Sequence, residues 1–434
     1  MRVLIIGSGG REHALASNFA GSPLLTKLYV APGNPGTAQI AENVPIGVLD
    51  VPALVEFAVA HKIDLVMPGP EAPLVAGIAD ALAEAGIRCC GPTAAAARLE
   101  GSKSFTKEIA DAAGVPTAAW ERFDDAAGAH EFVRRKGAPI VIKADGLAGG
   151  KGVVVAQSLP EAHAAITAML EDAALGDAGS SVVIEECLSG PELSVFALCD
   201  GLIAIPLGAA QDHKRVGEGD TGANTGGMGA ISPPPIATPE LIDAVLARII
   251  RPTLAEMHAR GTPFRGILFA GLMLTEHGPR LIEYNVRFGD PECEALLPRL
   301  RSDLLPALLA ACDGELANFD LQWRALASAV VVMAAKGYPG DYIRHTVIRD
   351  LDLAEAVEGV RVFHAGTERR DGVLLATGGR VLAVCGTGID LRQALARAYR
   401  AIDLIDWPEG FCRRDIGNRI IGEHTIGTGD PNHA

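Results

Sequence analysis

The run Pro139-Ile-Val-Ile-Lys143-Ala-Asp145-Gly-Leu-Ala-Gly149-Gly150-Lys151-Gly152-Val-Val-Val-Ala156 leaves few folds open to this chain. Ile140 to Ile142 and Val153 to Val155 are β-formers, so the run reads as strand, glycine loop, strand. Four glycines let backbone N–H groups come close to a ligand, and Lys143 and Lys151 add cationic donors. Such a loop suits a polyphosphate and can move as a flap. It is not a Walker A loop, which needs Lys-Ser/Thr at the mouth of a helix, whereas Lys151 is followed by Gly152 and a strand. Taken alone, it could equally be a hairpin turn with two solvated lysines.

The chain has 434 residues, more than one hydrophobic core serves, so roughly two to four domains are expected. A net charge of −15 and an aromatic content of 5% argue against nucleic-acid or anionic-membrane binding. No apolar stretch of about 20 residues is present to span a bilayer. The eight cysteines form no C-x-x-C pair, which points to reduced, buried thiols rather than a zinc or dithiol site. The N-terminus shows no signal-peptide pattern, and a cytoplasmic protein is expected.

Taken in order, Val3 to Ile6 is a strand, Gly7 to Gly10 a turn, and Arg11 to Ala16 the start of a helix, a layout that offers an anion site. The strand Lys27 to Val30 runs into Pro32-Gly33-Asn34-Pro35-Gly36 without the acidic residue a dinucleotide fold uses for ribose. A single-phosphate or mononucleotide site is therefore read instead. Asp64 to Met67 ends at Pro68-Gly69-Pro70-Glu71. Three Gly/Pro loops beyond strand ends form a small-molecule mouth, and Gly9, Gly10, Asn34, Gly36 and Glu71 are its candidate substrate residues. Lys103 falls in the first turn of a helix, where a cation opposes the helix dipole, which hints at an anion to be bound.

Further along, 160–171 and 240–258 read as helices. Glu185 and Glu186 end one strand, and Glu192 opens the next. The glycine-rich stretch Gln211 to Gly229 reads as a long loop, too rich in glycine for a helix or central strand. On the strand from Arg280, Glu283, Asn285 and Arg287 point the same way. Glu283 and Asn285 are hard oxygen ligands suited to a magnesium ion that keeps phosphate oxygens, and Arg287 could fork onto a carboxylate or phosphate. From about Trp323 a last segment shows no chemical constellation beyond the turn from Lys336 to Gly340, and reads as a lid or scaffold.

Together, Gly7 to His13, Pro32-Gly33-Asn34, Gly69 to Pro73, Gly101-Ser102-Lys103, Ile142 to Gly152, Gln211 to Gly229 and Arg287 to Glu292 resemble the glycinamide ribonucleotide synthetase (phosphoribosylamine–glycine ligase) family of the ATP-grasp superfamily, over nearly the whole length. The resemblance implies an α/β and α+β multidomain fold. Its parts are a Rossmann-like parallel-sheet domain (1–100), a two-part ATP-grasp centre (101–322, with a mobile small subdomain at about 117–190) and a small C-terminal α+β domain (323–434). It implies ATP held by Lys103, Lys143, the 145–152 loop with Gly149, Gly150, Lys151 and Gly152, adenine at Glu185, Glu186 and Leu188, and ribose at Glu192. It implies Mg²⁺ or Mn²⁺ on Glu283 and Asn285. Asp212, Lys214, Arg287 and Asp290 are expected around glycine and its acyl phosphate, with 5-phosphoribosylamine on the N-terminal loops and a monomer or weak dimer as the assembly. The chain departs from the family pattern at Cys187, where an aromatic is expected, and at Ala223, where proline is expected. Another ATP-grasp ligase, or a nucleotide-binding regulatory module without turnover, are the rival readings.

Overall fold

The computed structural model describes residues 1–148, 152–172 and 174–426. The first hundred residues form a parallel sheet of β1 (Arg2–Gly7), β2 (Lys27–Pro32), β3 (Glu42–Asn43), β4 (Leu65–Pro68) and β5 (Arg88–Cys89), in the order 3-2-1-4-5. Val3 to Ile6 are all buried, as expected for a central parallel strand covered on both faces. The glycine–proline loops after β1, β2 and β4 therefore share one edge of the sheet, where α/β folds bind ligands.

A second, antiparallel sheet holds β6 (Trp120–Phe123), β7 (Ile140–Ala144), β8 (Val153–Ala156) and β9 (Val182–Glu186) in the order 6-9-7-8. The helices Ala126–Lys136 and Leu159–Ile166 cover one of its faces. The helix expected at 160–171 changes at Thr167 to a wider π turn through Glu171, and the one expected at 240–258 has a similar turn at Leu246–Ile250.

The largest sheet is antiparallel. It comprises β10 (Glu192–Asp200), β11 (Ala204–Asp212), β14 (Gly229–Ser232), β15 (Arg265–Thr275), β16 (Gly278–Asn285), β17 (Ala327–Ala335), β18 (Val360–His364) and β19 (Arg380–Gly388), in the order 16-15-10-11-14-17-19-18, with the short strand Gly410–Phe411 also paired to β17. Pairing of β14 with β17 carries this sheet into the C-terminal segment. There the helix Leu391–Ile402 buries Ala394, Leu395, Ala398, Ala401 and Ile402 at helical spacing. The stretch Gln211 to Gly229 is more ordered than a loop: between β11 and β14 it forms a ribbon of β12 (Arg215–Gly217) and β13 (Thr221–Asn224). Residues 221–224 are exposed, so glycine there sacrifices no core packing, and Gly222 turns the chain at φ +80°.

Candidate active site

Helix Lys103–Ala112 contacts both the second sheet, through Lys107 and Glu185, and the third, through Lys103 and Glu283, and its first turn is organised by Asp145. The Asp145 carboxylate accepts from Ser104 N at 2.7 Å, Ser104 Oγ at 2.7 Å and Ser102 Oγ at 3.0 Å, while Lys103 N donates to Asp145 O at 2.9 Å. The helix dipole is thus met by Asp145, which leaves the Lys103 side chain to point elsewhere. Lys143 on β7 contacts Glu185 Oε1 at 2.9 Å and donates to Ile282 O on β16 at 3.2 Å, tying the two sheets together. Lys107, one helical turn after Lys103, contacts Glu185 Oε2 at 2.9 Å and donates to Thr117 Oγ1 at 2.6 Å. Lys107, Lys143 and Glu185 are at most 3% exposed. The Glu185 side chain is therefore engaged by two ammonium groups rather than turned to an open cleft.

Glu283 on β16 is the centre of charge. Gly271 lies directly opposite on β15, where a Cβ would be in van der Waals contact with the Glu283 stem, 3.4 Å from Cγ. Lys103 Nζ donates to Glu283 Oε2 at 3.2 Å. Burial would raise the Glu283 pKa, but Lys103, Lys214 and Lys143 outweigh it and hold the carboxyl well below the usual range. Lys214 is raised despite its burial, through Glu192 at 2.7 Å and through Glu283. Glu192, Lys214, Glu283, Lys103 and Lys143 are thus one electrostatic group. Among the described residues no cluster of three His, Cys, Asp or Glu could cage a metal. A Glu283 carboxyl held low in pKa, with Asn285 two residues on, fits a hard cation completed by phosphate oxygens, and a protein-only site is not built among the described residues.

Strand β16 ends at Asn285, and Arg287 lies just beyond it. Arg287 donates to Asn285 Oδ1 at 3.0 Å, Glu71 Oε2 at 3.2 Å and Glu100 Oε1 at 2.6 Å, so this guanidinium joins the third sheet to the N-terminal mouth. Glu71 is lowered, burial being outweighed by Arg287 and Arg11. Asp290 accepts from Arg11 N at 3.4 Å and pairs with Arg380 at 2.9 Å; burial opposes its ionisation, but Arg380 and Arg11 hold it low. Asp212, at the end of β11, is pushed up by burial and by Glu292 against the pull of Lys214 and Arg380. Gly227 packs between Asp212 and Pro291: a Cβ would fall 2.5 Å from Asp212 Oδ1 and from Pro291 Cδ, and its φ is +109°.

At the N-terminal mouth the glycine turn is already partly filled. Gly9 N donates to Glu12 Oε2 at 2.6 Å, and a Cβ at Gly7 or Gly69 would collide with the Glu12 side chain. Glu12 therefore requires those glycines, and one of the N–H groups expected to face an anion is occupied. Asn34 uses both amide atoms on the protein: Oδ1 accepts from Gly36 N at 2.9 Å and Thr37 N at 3.0 Å, and Nδ2 donates to Ser8 O at 2.9 Å and His364 O at 2.8 Å. Asn34 and Gly36 thus shape the loop. Gly10 opens the helix Gly10–Phe19, against Glu294.

Glu186 is exposed, with Arg280 at 3.6 Å, and Leu188 is half-buried in the connection from β9 to β10, where the two sheets join. Gly152 returns the chain to β8, its carbonyl accepting from Ala144 N at 2.7 Å. Gly149, Gly150 and Lys151 lie outside the described residues. Sequence reasoning passed over Lys107, Glu100 and Arg380, and it took in Asp145 and Glu292 only as members of longer runs, with no role of their own. Of the three passed over, Lys107 carried a local signal, four residues after Lys103 and so on the same helix face.

With this geometry in view, comparison with known proteins is direct. Family models described as phosphoribosylglycinamide synthetase match the chain as N domain (residues 1–100), ATP-grasp (A) domain (101–293) and C domain (328–419). The phosphoribosylamine–glycine ligase of Brucella melitensis is 56% identical over 421 residues, 97% of this chain and 98% of that protein. That of Mesorhizobium japonicum is 58% identical over 421 residues, 97% and 99% of the two chains. The crystal structure of phosphoribosylamine–glycine ligase from Thermotoga maritima superposes with a TM-score of 0.84 at 32% identity, over 96% of this chain and 100% of that one. The chain belongs to the phosphoribosylglycinamide synthetase family of ATP-grasp ligases.

Proposed function

We propose that this chain joins glycine to 5-phosphoribosylamine at the expense of ATP, giving glycinamide ribonucleotide, ADP and phosphate in purine biosynthesis. The observation that carries the reading is the single charge cluster in which Lys103, Lys143 and Lys214 surround Glu283 at the junction of two sheets. Three ammonium groups acting on one carboxylate match a triphosphate, and a site without an activated serine or cysteine matches phosphoryl transfer, which depends on positioning and charge neutralisation.

In this reading Lys103 and Lys143 draw phosphate oxygens into the cleft, and the connection around Glu186 and Leu188 offers its backbone to the adenine edge. Glu283 and Asn285 would hold Mg²⁺ or Mn²⁺; bound there, the cation neutralises charge on the phosphates. Glu192 takes the ribose. Asp212, Lys214, Arg287 and Asp290 flank glycine, whose carboxylate oxygen bonds to the γ-phosphorus as ADP leaves. The amine of 5-phosphoribosylamine, held at Gly9, Gly10 and Glu71, then bonds to the acyl carbon and gives up one proton, and phosphate leaves with the former carboxylate oxygen. Asn34 and Gly36 fix the loop that presents it. A cytoplasmic monomer or weak dimer completes the proposal. Among the described residues no helix is long and apolar enough to cross a membrane.

The test is a substrate screen that follows ADP release. Release that needs glycine and 5-phosphoribosylamine together supports the reading; release with bicarbonate or with a second amino acid in their place overturns it.

A further inference from the structure

Arg380 opens β19 in the C-terminal segment, a part of the chain whose sequence shows no chemical constellation beyond the turn from Lys336 to Gly340. Its guanidinium nevertheless reaches into the centre of the molecule. Nη1 donates to Gly226 O at 2.5 Å, Gly227 O at 3.2 Å and Asp290 O at 2.7 Å, and Nη2 pairs with Asp290 Oδ1 at 2.9 Å. One planar fork thus clamps two separate segments: the end of the glycine-rich stretch and the turn after β16. The turn carries Asp290, and the end of the glycine-rich stretch packs against Asp212 at the end of β11. Gly227 touches Asp212 on one side and Pro291, next to Asp290, on the other. Tyr338, from the neighbouring C-terminal turn, accepts from Gly226 N at 3.4 Å, so Gly226 is gripped at both its N–H and its C=O by that segment. A Cβ at Gly226 would sit 3.0 Å from Arg380 Cζ, which shows how closely guanidinium and loop are packed.

We propose that Arg380 is a positioning residue for the glycine half-site: it fixes the spacing of the Gly226–Gly227 loop and the Asp290 turn, and through them the placement of Asp212 and Asp290. The C-terminal segment is thereby part of the active site's construction. This rests on the reading above that Asp212 and Asp290 flank glycine. Arginine suits the task because its donors are fixed in one plane and can serve two acceptor segments at once, whereas lysine offers a single point of charge.

The experiment uses the full chain and measures kcat/KM separately for glycine, ATP and 5-phosphoribosylamine in Arg380→Ala, Arg380→Lys, Gly226→Ala and Asp290→Asn. Losing charge-assisted bonds to two segments should lower kcat/KM for glycine by about 100-fold in Arg380→Ala. KM for ATP should stay within about threefold of the parent. Guanidinium chloride at low millimolar concentration should restore at least about tenfold of the loss, and equal sodium chloride should restore none. Arg380→Lys should recover only part of it. Gly226→Ala, which keeps Arg380 but pushes it aside, should show the same glycine-selective loss to a lesser degree, and it decides the question if Arg380→Ala does not fold. A parallel loss for all three substrates, with no rescue, would reduce Arg380 to a packing residue and overturn the proposal. If the Arg380 and Gly226 variants are unchanged while Asp290→Asn loses glycine saturation, the positioning role alone falls. If Asp290→Asn is unchanged as well, the half-site reading fails and the positioning role with it.

Discussion

Replacement of Lys143 by alanine separates the catalytic part of this account from the structural part. The side chain gives up its 2.9 Å contact with Glu185 and its 3.2 Å bond to Ile282 O. Stranding a buried carboxylate would cost about 3–5 kcal/mol. Here it is not stranded, because Lys107 stays 2.9 Å from the other Glu185 oxygen. Lys107 has its pKa lowered to about 8, chiefly by burial; Glu185 opposes the shift and Lys143 adds to it. Removing Lys143 removes that repulsion. The structural loss is then one hydrogen bond, one ion-pair contact and a small cavity, about 2–3 kcal/mol, which lowers the melting temperature by a few degrees and leaves the fold intact. The catalytic loss is larger. A preorganised donor at developing charge contributes about 10²–10³ in kcat, and Lys143 also helps set the charge at Glu283, so a fall of about 10³ is expected. The assay is ADP release at saturating glycine and 5-phosphoribosylamine, with a thermal melt by circular dichroism alongside. Turnover within tenfold of the parent refutes the role of Lys143 at the phosphates. A chain that no longer folds refutes the compensation by Lys107. The sign of the alkaline response gives an independent check. A lysine whose folded pKa lies below its unfolded value penalises the folded state at lower pH, and the penalty fades as pH rises from about 8 toward the unfolded value of 10.5. In Lys143→Ala this alkaline gain should shrink, as seen in urea midpoints across that range.

Glu283→Gln should lower kcat by at least about 10² and weaken the dependence on added Mg²⁺, measured by metal titration of the variant after chelation; an unchanged metal titration contradicts the cation assignment. Because the Glu283 pKa is depressed, its contribution to stability is full above the unfolded value near 4.5 and fades as pH falls below it, so the acid midpoint of unfolding should move up in Glu283→Gln. Glu294 is wholly buried, neither carboxyl oxygen has a hydrogen-bond partner among the described residues, and burial and Asp290 push its pKa well up. Glu294→Gln should therefore raise the melting temperature by about 1–2 °C at pH 8 and by less at pH 4.5, where both states of the parent are more nearly protonated; a fall would contradict this. Gly227→Ala forces a side chain into a positive φ and against Asp212 and Pro291, and should cost about 2–4 kcal/mol in chemical denaturation and most of the activity.

Much of the fold was written locally. Val3 to Ile6 with the following glycine turn, and the valine pair of strands around residues 143–152, are short-range patterns and appear as β1, β7 and β8. So was the alternation on β16 that sets Glu283 and Asn285 two residues apart, with Glu283 against Lys103 and Asn285 against Arg287. The ribbon at 215–224 was not legible, because glycine is depleted from strands where side chains must pack, and here Arg215–Gly217 is only half-buried and Thr221–Asn224 is exposed. Nor were the partners of the site residues. Lys107, Glu100 and Arg380 act through contacts that span up to 187 residues in the case of Glu100 with Arg287, and such pairings leave no periodic trace. The same holds for the roles at the N-terminal mouth. The sequence pattern pointed to Asn34 and to the Gly9 N–H as ligand contacts, but only the coordinates place Asn34 on Ser8, Gly36, Thr37 and His364, and the Gly9 N–H on Glu12.

The central claim is that lysines gathered on Glu283 present a triphosphate to the carboxylate of glycine. Turnover of glycine labelled with ¹⁸O in both carboxylate positions tests it most directly, with the released phosphate analysed by mass spectrometry. Transfer of one ¹⁸O to each phosphate is the predicted result, since the oxygen that attacks phosphorus leaves with it. Unlabelled phosphate would mean that the carboxylate never bonds to phosphorus, and the account would be contradicted.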